Sequence, residues 1–210
     1  KIFTRYASDS IHVVKENPYR LAEEIFGIGF LTADRIAGKL GFGKNSKLRA
    51  ESGVLYILHQ LADKGHLYYP FELLVREGEK VLQVSRDLIM NSLDSLAFQQ
   101  KIVIENLAPN KKSKDKSRHA VYLAQLHHFE VEIARQIKSL YNTSQSLLPI
   151  NEERAIHWVQ KRTSVELAAM QVNAIKSAVR QKITVITGGP GTGKTTVINA
   201  IVKVFRKLRT

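Results

Sequence analysis

Apolar residues recur at three- and four-residue intervals through most of this chain, the spacing that lays one face of a helix against a core. Residues 10–15 make a brief helix that ends before Pro18, because proline disfavours helix in the residue before it. Leu21 and Ile25 carry a second helix over 21–26. Gly27-Ile28-Gly29-Phe30 interrupts the pattern, and a third helix over 32–40 stops at Gly41, a residue suited to the left-handed turn after a helix. Leu21, Ile25, Ile28, Ala33, Ile36, Ala37 and Leu40 are expected to form one small core. From residue 47, Val54, Leu55, Leu58, Leu61 and Ala62 mark an amphipathic helix ending near Gly65. Pro70 precedes another over 71–81, and Ser85 caps a third that carries Leu88, Ile89, Leu93, Leu96 and Ala97. Residues 101–105 and 120–123 read as two strands, joined by the polar connector 109–118. Val131, Ile133, Ala134, Ile137 and Leu140 predict a helix over 129–140.

Thr163 followed by Glu166 fits a capping box at the head of a helix bearing Leu167, Ala168, Gln171, Ala174, Ile175, Ala178 and Val179. The apolar run 183–187 then predicts a strand, and Val197, Ile201, Val204, Phe205 and Leu208 a closing helix. Between the two lies Gly188-Gly189-Pro190-Gly191-Thr192-Gly193-Lys194-Thr195-Thr196, a full phosphate-binding loop in the strand–loop–helix setting that gives it meaning. Glycines let successive backbone N–H groups converge on phosphate oxygens without Cβ clashes. The helix that follows turns its positive end toward the same anion. Lys194 is expected to reach the β- and γ-phosphates of ATP, and the Thr195 hydroxyl to ligate Mg²⁺.

No Asp or Glu occurs between Leu167 and Thr210. A P-loop enzyme ordinarily holds its metal with a later carboxylate. The 210 residues are therefore expected to be a piece of a longer enzyme and not to turn over ATP by themselves.

Net charge is +13, and the excess is local. Residues 1–50 hold nine basic and five acidic side chains, residues 109–120 five and one, and residues 166–210 eight and one. Such patches suit a polyanion, most simply nucleic acid, although a charge run can also be a solvated face. Ile25, Gly27, Ile28, Gly29, Ala33 and Ile36 are spaced as in a helix-hairpin-helix. Its glycines Gly27 and Gly29 are expected to present backbone N–H groups to a DNA phosphate, with Lys39, Lys44, Lys47 and Arg49 nearby. A purely structural helical hairpin is the alternative. The three helices and two strands that follow make a winged-helix-like unit. Its third helix sets Arg86 against Asp87 and Asp94, a poor reader of base edges. Its hairpin loop carries Lys111, Lys112, Lys114 and Lys116 as candidate phosphate contacts, and a spacer domain is the alternative there.

Cysteine is absent, which excludes disulfides and thiolate metal ligands and fits a cytoplasmic location. No apolar run approaches the ~18 residues of a membrane span. His127, His128 and His157 have no metal-ligand spacing.

Taken in order, these motifs resemble one family. Asn17-Pro18-Tyr19-Arg20-Leu21, Gly27-Ile28-Gly29-Phe30, Ala33-Asp34 and Ile36-Ala37 look like the N-terminal region of RecD-like ATP-dependent DNA helicases. Gly65-His66-Leu67-Tyr68-Tyr69-Pro70 resembles the segment that follows in those proteins. Gln171, with the run from Val185 to Thr196, resembles their first ATPase motifs, Gln171 standing where a carboxamide can both donate to and accept from the adenine edge. The resemblance implies a mostly α fold with a small β component. A helix-hairpin-helix would occupy 1–46, a winged-helix-like domain with its basic loop at 109–118 would occupy 47–124, and 125–210 would open a RecA-like ATPase domain. It implies a superfamily 1 motor, moving 5′ to 3′ on single-stranded DNA and opening duplex junctions in recombination and repair. ATP and Mg²⁺ would be its cofactors, and other recombination or repair proteins further partners. The competing class is a non-motor DNA-binding scaffold or protein-docking module with a structural nucleotide site.

Overall fold

The computed structural model describes residues 1–107, 118–143 and 150–207. The chain is mostly helical with one small sheet, and it divides into two compact units, Lys1–Val131 and Glu132–Thr210.

The first unit begins with four short helices, α1 (Ile2–Tyr6), α2 (Ser10–Glu16), α3 (Arg20–Glu24) and α4 (Phe30–Lys39). α5 (Lys47–Asp63), β1 (Tyr68–Pro70), α6 (Phe71–Leu82), α7 (Arg86–Phe98), β2 (Ile102–Asn106) and β3 (His119–Leu123) follow. Ser46 and Ser85 accept from the backbone of Arg49 and Leu88, so each long helix starts where a side-chain oxygen takes a free N–H. α4 ends as a Schellman turn: Gly41 has φ +86°, and the Phe42 N–H reaches the Ala37 carbonyl. The sheet is antiparallel in the order β1-β3-β2, pairing Tyr69 and Ile104 with opposite sides of Val121. The strand β1 was not expected from the sequence. It is three residues long and is defined by a partner some fifty residues downstream.

The core joins Val54, Ile57 and Leu58 of α5 to Phe71, Leu74 and Val75 of α6, Ile89, Leu93 and Leu96 of α7, and Ile102 and Val121 of the sheet. α5 and α6 approach closely at Gly53, where a Cβ would lie 2.5 Å from a Leu82 methyl. The hairpin helices bury Leu21, Ile25, Ala33 and Ala37 as expected, but part of this set joins the larger core. Tyr19, Phe30, Ala33 and Ala37 belong to the same cluster, with Phe30 stacked between Tyr19 and Tyr56 at centroid distances of 6.0 and 5.1 Å. Leu40, expected inside, is exposed, and Ile28 and Ile36 are only half-buried.

A polar knot reinforces this joint. Asp34 accepts from the Tyr19 hydroxyl at 2.8 Å and from Arg49 Nε at 2.9 Å, and the same guanidinium donates to the Lys44 and Leu82 carbonyls. Burial, then the neighbouring Asp34, pushes the Tyr19 hydroxyl well above its ordinary pKa. Arg49 is thus tied into the fold and does not stand free for DNA.

The second unit holds α9 (Glu152–Thr163), α10 (Ala169–Arg180) and α11 (Lys194–Lys207). The boundary between the units falls within α8 (Ala124–Asn142), in which no residue is buried. Val159, Ile175, Val179, Val197, Ala200 and Val204 make the second unit's core. Two expectations fail here. Thr163 is not a cap for the following helix: it is the last residue of α9, its hydroxyl donates to the Val159 carbonyl, and the chain turns at Ser164 with φ +50°. Residues 183–187 form no strand. A strand is defined by its neighbour, and among the described residues of this unit there is none to pair with. Ile186 packs on the core while Val185 is 82% exposed.

Candidate functional site

Residues 188–193 turn into α11, whose first residue is Lys194. Gly191 and Gly193 have φ +75° and +79°, which side chains rarely adopt, and a Cβ on Gly188 would lie 2.7 Å from the Thr192 hydroxyl. The turn therefore needs glycine at three of its positions.

Side chains of the loop brace its own backbone. The Thr192 hydroxyl donates to the Gly189 carbonyl at 2.9 Å. Lys194 Nζ lies within the turn and donates to the carbonyls of Gly188 at 2.7 Å and Gly189 at 2.5 Å. The ammonium thus sits on the concave side, where an anion would gather N–H groups from the glycine turn and the start of α11. Thr195 is exposed in the first turn of α11, and its hydroxyl has no partner among the described residues. Pro190 and Thr196 complete the loop, the latter half-buried.

Gln171 lies in the first turn of α10, and both ends of its carboxamide are engaged. Its oxygen accepts from the Ala168 N–H at 3.1 Å, and its nitrogen donates to the Thr192 carbonyl at 3.2 Å. A Cβ on Gly193 would strike that same amide nitrogen. Gln171 therefore couples the start of α10 to the phosphate loop, a role its spacing alone did not reveal. Gln171, Asn173, Thr187, Gly188, Thr192 and Lys194 border a cavity of about 420 Å³.

The donor set fits a nucleoside triphosphate with its metal. The turn offers backbone N–H groups and one ammonium, and Thr195 offers one neutral oxygen. Among the described residues no group of three or more His, Cys, Asp or Glu could hold an ion independently. Of these residues Thr195 is the one that would hold a metal, beside the phosphate oxygens of the nucleotide.

The hairpin in the first unit is a second candidate site. Gly27 has φ +86°, and Gly29 is the N-cap of α4. The N–H groups of Gly27, Gly29, Phe30 and Leu31 have no acceptor among the described residues. The lysines singled out from the sequence do not cluster at this turn. Lys39 is the last residue of α4, about 15 Å along the axis at 1.5 Å per residue, and Lys44 and Lys47 follow it in the sequence. Lys39 and Lys44 are exposed, while Lys47 pairs with Glu51 at 3.5 Å. Arg86 is tied to Glu72 at 2.6 Å. Lys111, Lys112, Lys114 and Lys116 lie outside the described residues.

Comparison with known proteins separates the same two regions. Residues 1–68 match the family described as the helix-hairpin-helix domain of ATP-dependent RecD2 DNA helicases. Residues 171–210 match an AAA domain family. The ATP-dependent RecD2 DNA helicase of Deinococcus radiodurans is 25% identical over 211 aligned residues, covering 97% of this chain. The chain spans 28% of the length of that relative.

Proposed function

We propose that this RecD-like helicase chain supplies the DNA-guiding and ATP-gripping parts of a motor that moves 5′ to 3′ on single-stranded DNA and opens duplex junctions. The observation that carries the reading is the loop. Glycines at 188, 191 and 193 open its backbone, and Lys194 sits on its concave side. The order of the two family matches, hairpin first and nucleotide loop last, supports it.

In this reading Gly188, Gly189, Gly191, Thr192 and Gly193 present backbone to the β- and γ-phosphates of ATP. Lys194 exchanges its two loop carbonyls for phosphate oxygens, giving up neutral acceptors for charged ones. Thr195 places its hydroxyl on Mg²⁺, which when bound neutralises charge developing on the phosphates. Gln171 holds the loop through Thr192, and its carboxamide keeps a second N–H and a second oxygen lone pair for the adenine edge. Gly27 and Gly29 present N–H groups to a phosphate, which fixes position on DNA without reading sequence. Lys39, Lys44, Lys47 and the lysines at 111, 112, 114 and 116 add a diffuse electrostatic pull. We assign 1–46 to the helix-hairpin-helix, 47–124 to the winged-helix-like domain and 125–210 to the opening of the ATPase domain, working on cytoplasmic DNA in recombination and repair.

The test uses the intact protein. Lys194→Ala should abolish DNA-stimulated phosphate release and leave DNA binding intact. Undiminished turnover in that variant removes Lys194 from the chemistry. A wild-type protein that binds DNA and nucleotide yet never turns over would be the scaffold instead.

A further inference from the structure

The hairpin carries an apolar pair that the phosphate-binding reading does not use. Phe26, just before Gly27, is 98% exposed, and Leu31, in the first turn of α4, is 61% exposed. They flank the glycine turn on its two sides in the sequence. Both are anchored at their bases: Ile25 and Phe30, the residues just before them, are buried. The side chains therefore cannot turn into the core without undoing it. An exposed leucine alone would need no explanation. Phe26 and Leu31 leave one large apolar side chain in solvent on each side of the glycine turn.

The charge that follows this pair points to its occupant. Leu31, Arg35 and Lys39 follow one another at four-residue spacing along the exposed side of α4, so Leu31 leads into a basic stripe. Most acidic groups of this region are already taken. Glu24 binds Arg5 and Arg20, Asp34 binds Arg49, and Glu23 binds Lys101. Lys15, Arg35, Lys39 and Lys44 have no acidic partner among the described residues. An apolar protein partner would gain nothing from that uncompensated charge. A nucleic acid combines the two needs, since it offers phosphates to the stripe and unstacked bases to the ring.

We propose that Phe26, supported by Leu31, stacks on an unpaired base where duplex meets single strand, while Arg35 and Lys39 follow the adjoining backbone. The hairpin then distinguishes an opened DNA end from a closed one, which phosphate contacts alone cannot do. This rests on the DNA-binding reading above. It adds Phe26, Leu31 and Arg35 to the surface and assigns its preferred substrate as the junction.

The experiment measures binding of the chain to three labelled DNAs by fluorescence anisotropy: a blunt hairpin duplex, a forked duplex, and the fork with 2-aminopurine at the first unpaired position. The wild type should prefer the fork and quench 2-aminopurine. Phe26→Ala with Leu31→Ala should weaken fork binding by about 5- to 150-fold, the range of base–aromatic stacking. It should leave blunt-duplex affinity and the salt slope unchanged and abolish the quenching. Phe26→Trp should retain all three properties. Arg35→Glu with Lys39→Glu should weaken binding to every DNA and flatten the salt slope. All four residues are exposed, and circular dichroism confirms that the variants fold. If the double alanine variant binds fork and blunt DNA as the wild type does, the proposal is overturned while the DNA-binding reading survives. If the wild type binds no DNA at low salt, both fall.

Discussion

The glycine hairpin at 27–29 and the glycine loop at 188–193 use one local device, a positive-φ turn feeding a helix N-terminus, but they are made rigid in different ways. Phe30 anchors the hairpin inside an aromatic stack, with Ala33 and Ala37 in the shared core beneath α4. The phosphate loop lies on the surface, held by polar groups of Lys194, Thr192 and Gln171. A core can be changed only at the expense of stability. A polar brace can exchange partners, and these are the side chains a nucleotide would recruit. Substitutions of the buried residues beneath the hairpin should therefore act through folding, and substitutions in the polar brace of the loop through chemistry.

The strongest break in that comparison is Phe30→Ala. Removing a buried aromatic should cost about 3–5 kcal/mol of stability in the first unit, read as a lowered urea midpoint by circular dichroism. Nucleotide affinity per folded molecule should not change. Lys194→Ala should do the reverse, lowering turnover of the intact protein at least about 100-fold, by analogy with loss of one transition-state donor, with a melting temperature close to wild type. If Lys194→Ala unfolded the protein, the loop would be structural and the contrast false.

Gln171→Ala sharpens the contrast further. Because the carboxamide binds Thr192 and Ala168, its loss should weaken labelled ATP and GTP equally, by about 3- to 10-fold for one or so neutral hydrogen bonds. A loss confined to ATP would show that Gln171 reads adenine. The smallest effect concerns pH. Burial, then Glu105 nearby, pushes the Tyr122 hydroxyl up to about 12 from 10.0. The folded state thus keeps this proton longer than the unfolded one. The associated stability is intact below pH 10 and is lost as pH rises toward 12. Tyr122→Phe should move the alkaline unfolding midpoint of the first unit upward by a few tenths of a pH unit and leave neutral stability nearly unchanged. A downward shift would contradict the assignment.

Features written locally were readable beforehand. Ser85 caps its helix, the 54-55-58-61-62 periodicity is α5, and the two strands of the hairpin lie within a residue of their expected ends. The phosphate loop declares itself through glycine chemistry that needs no distant partner. Features defined by something far away were not. β1 exists because Tyr68–Pro70 pairs with β3, and 183–187 is irregular because no strand beside it is described. Thr163 and Glu166 showed the right spacing for a cap, but the Thr163 hydroxyl found the carbonyl behind it first. Arg49 looked like any surface cation until Asp34 and the Leu82 carbonyl, fifteen and thirty-three positions away, claimed its guanidinium.

The irregular run Ile183-Thr184-Val185-Ile186-Thr187 has a consequence for handling the protein. It is five residues of strong β preference without a charge, its Val185 side chain faces water, and a buried Thr184 hydroxyl lacks a hydrogen-bond partner among the described residues. Such an uncharged, partly exposed segment is a template for another copy of itself. Concentrated samples of the 210-residue chain should therefore associate slowly through this run, and the association should bind amyloid-type dyes. Val185→Lys should keep them in solution.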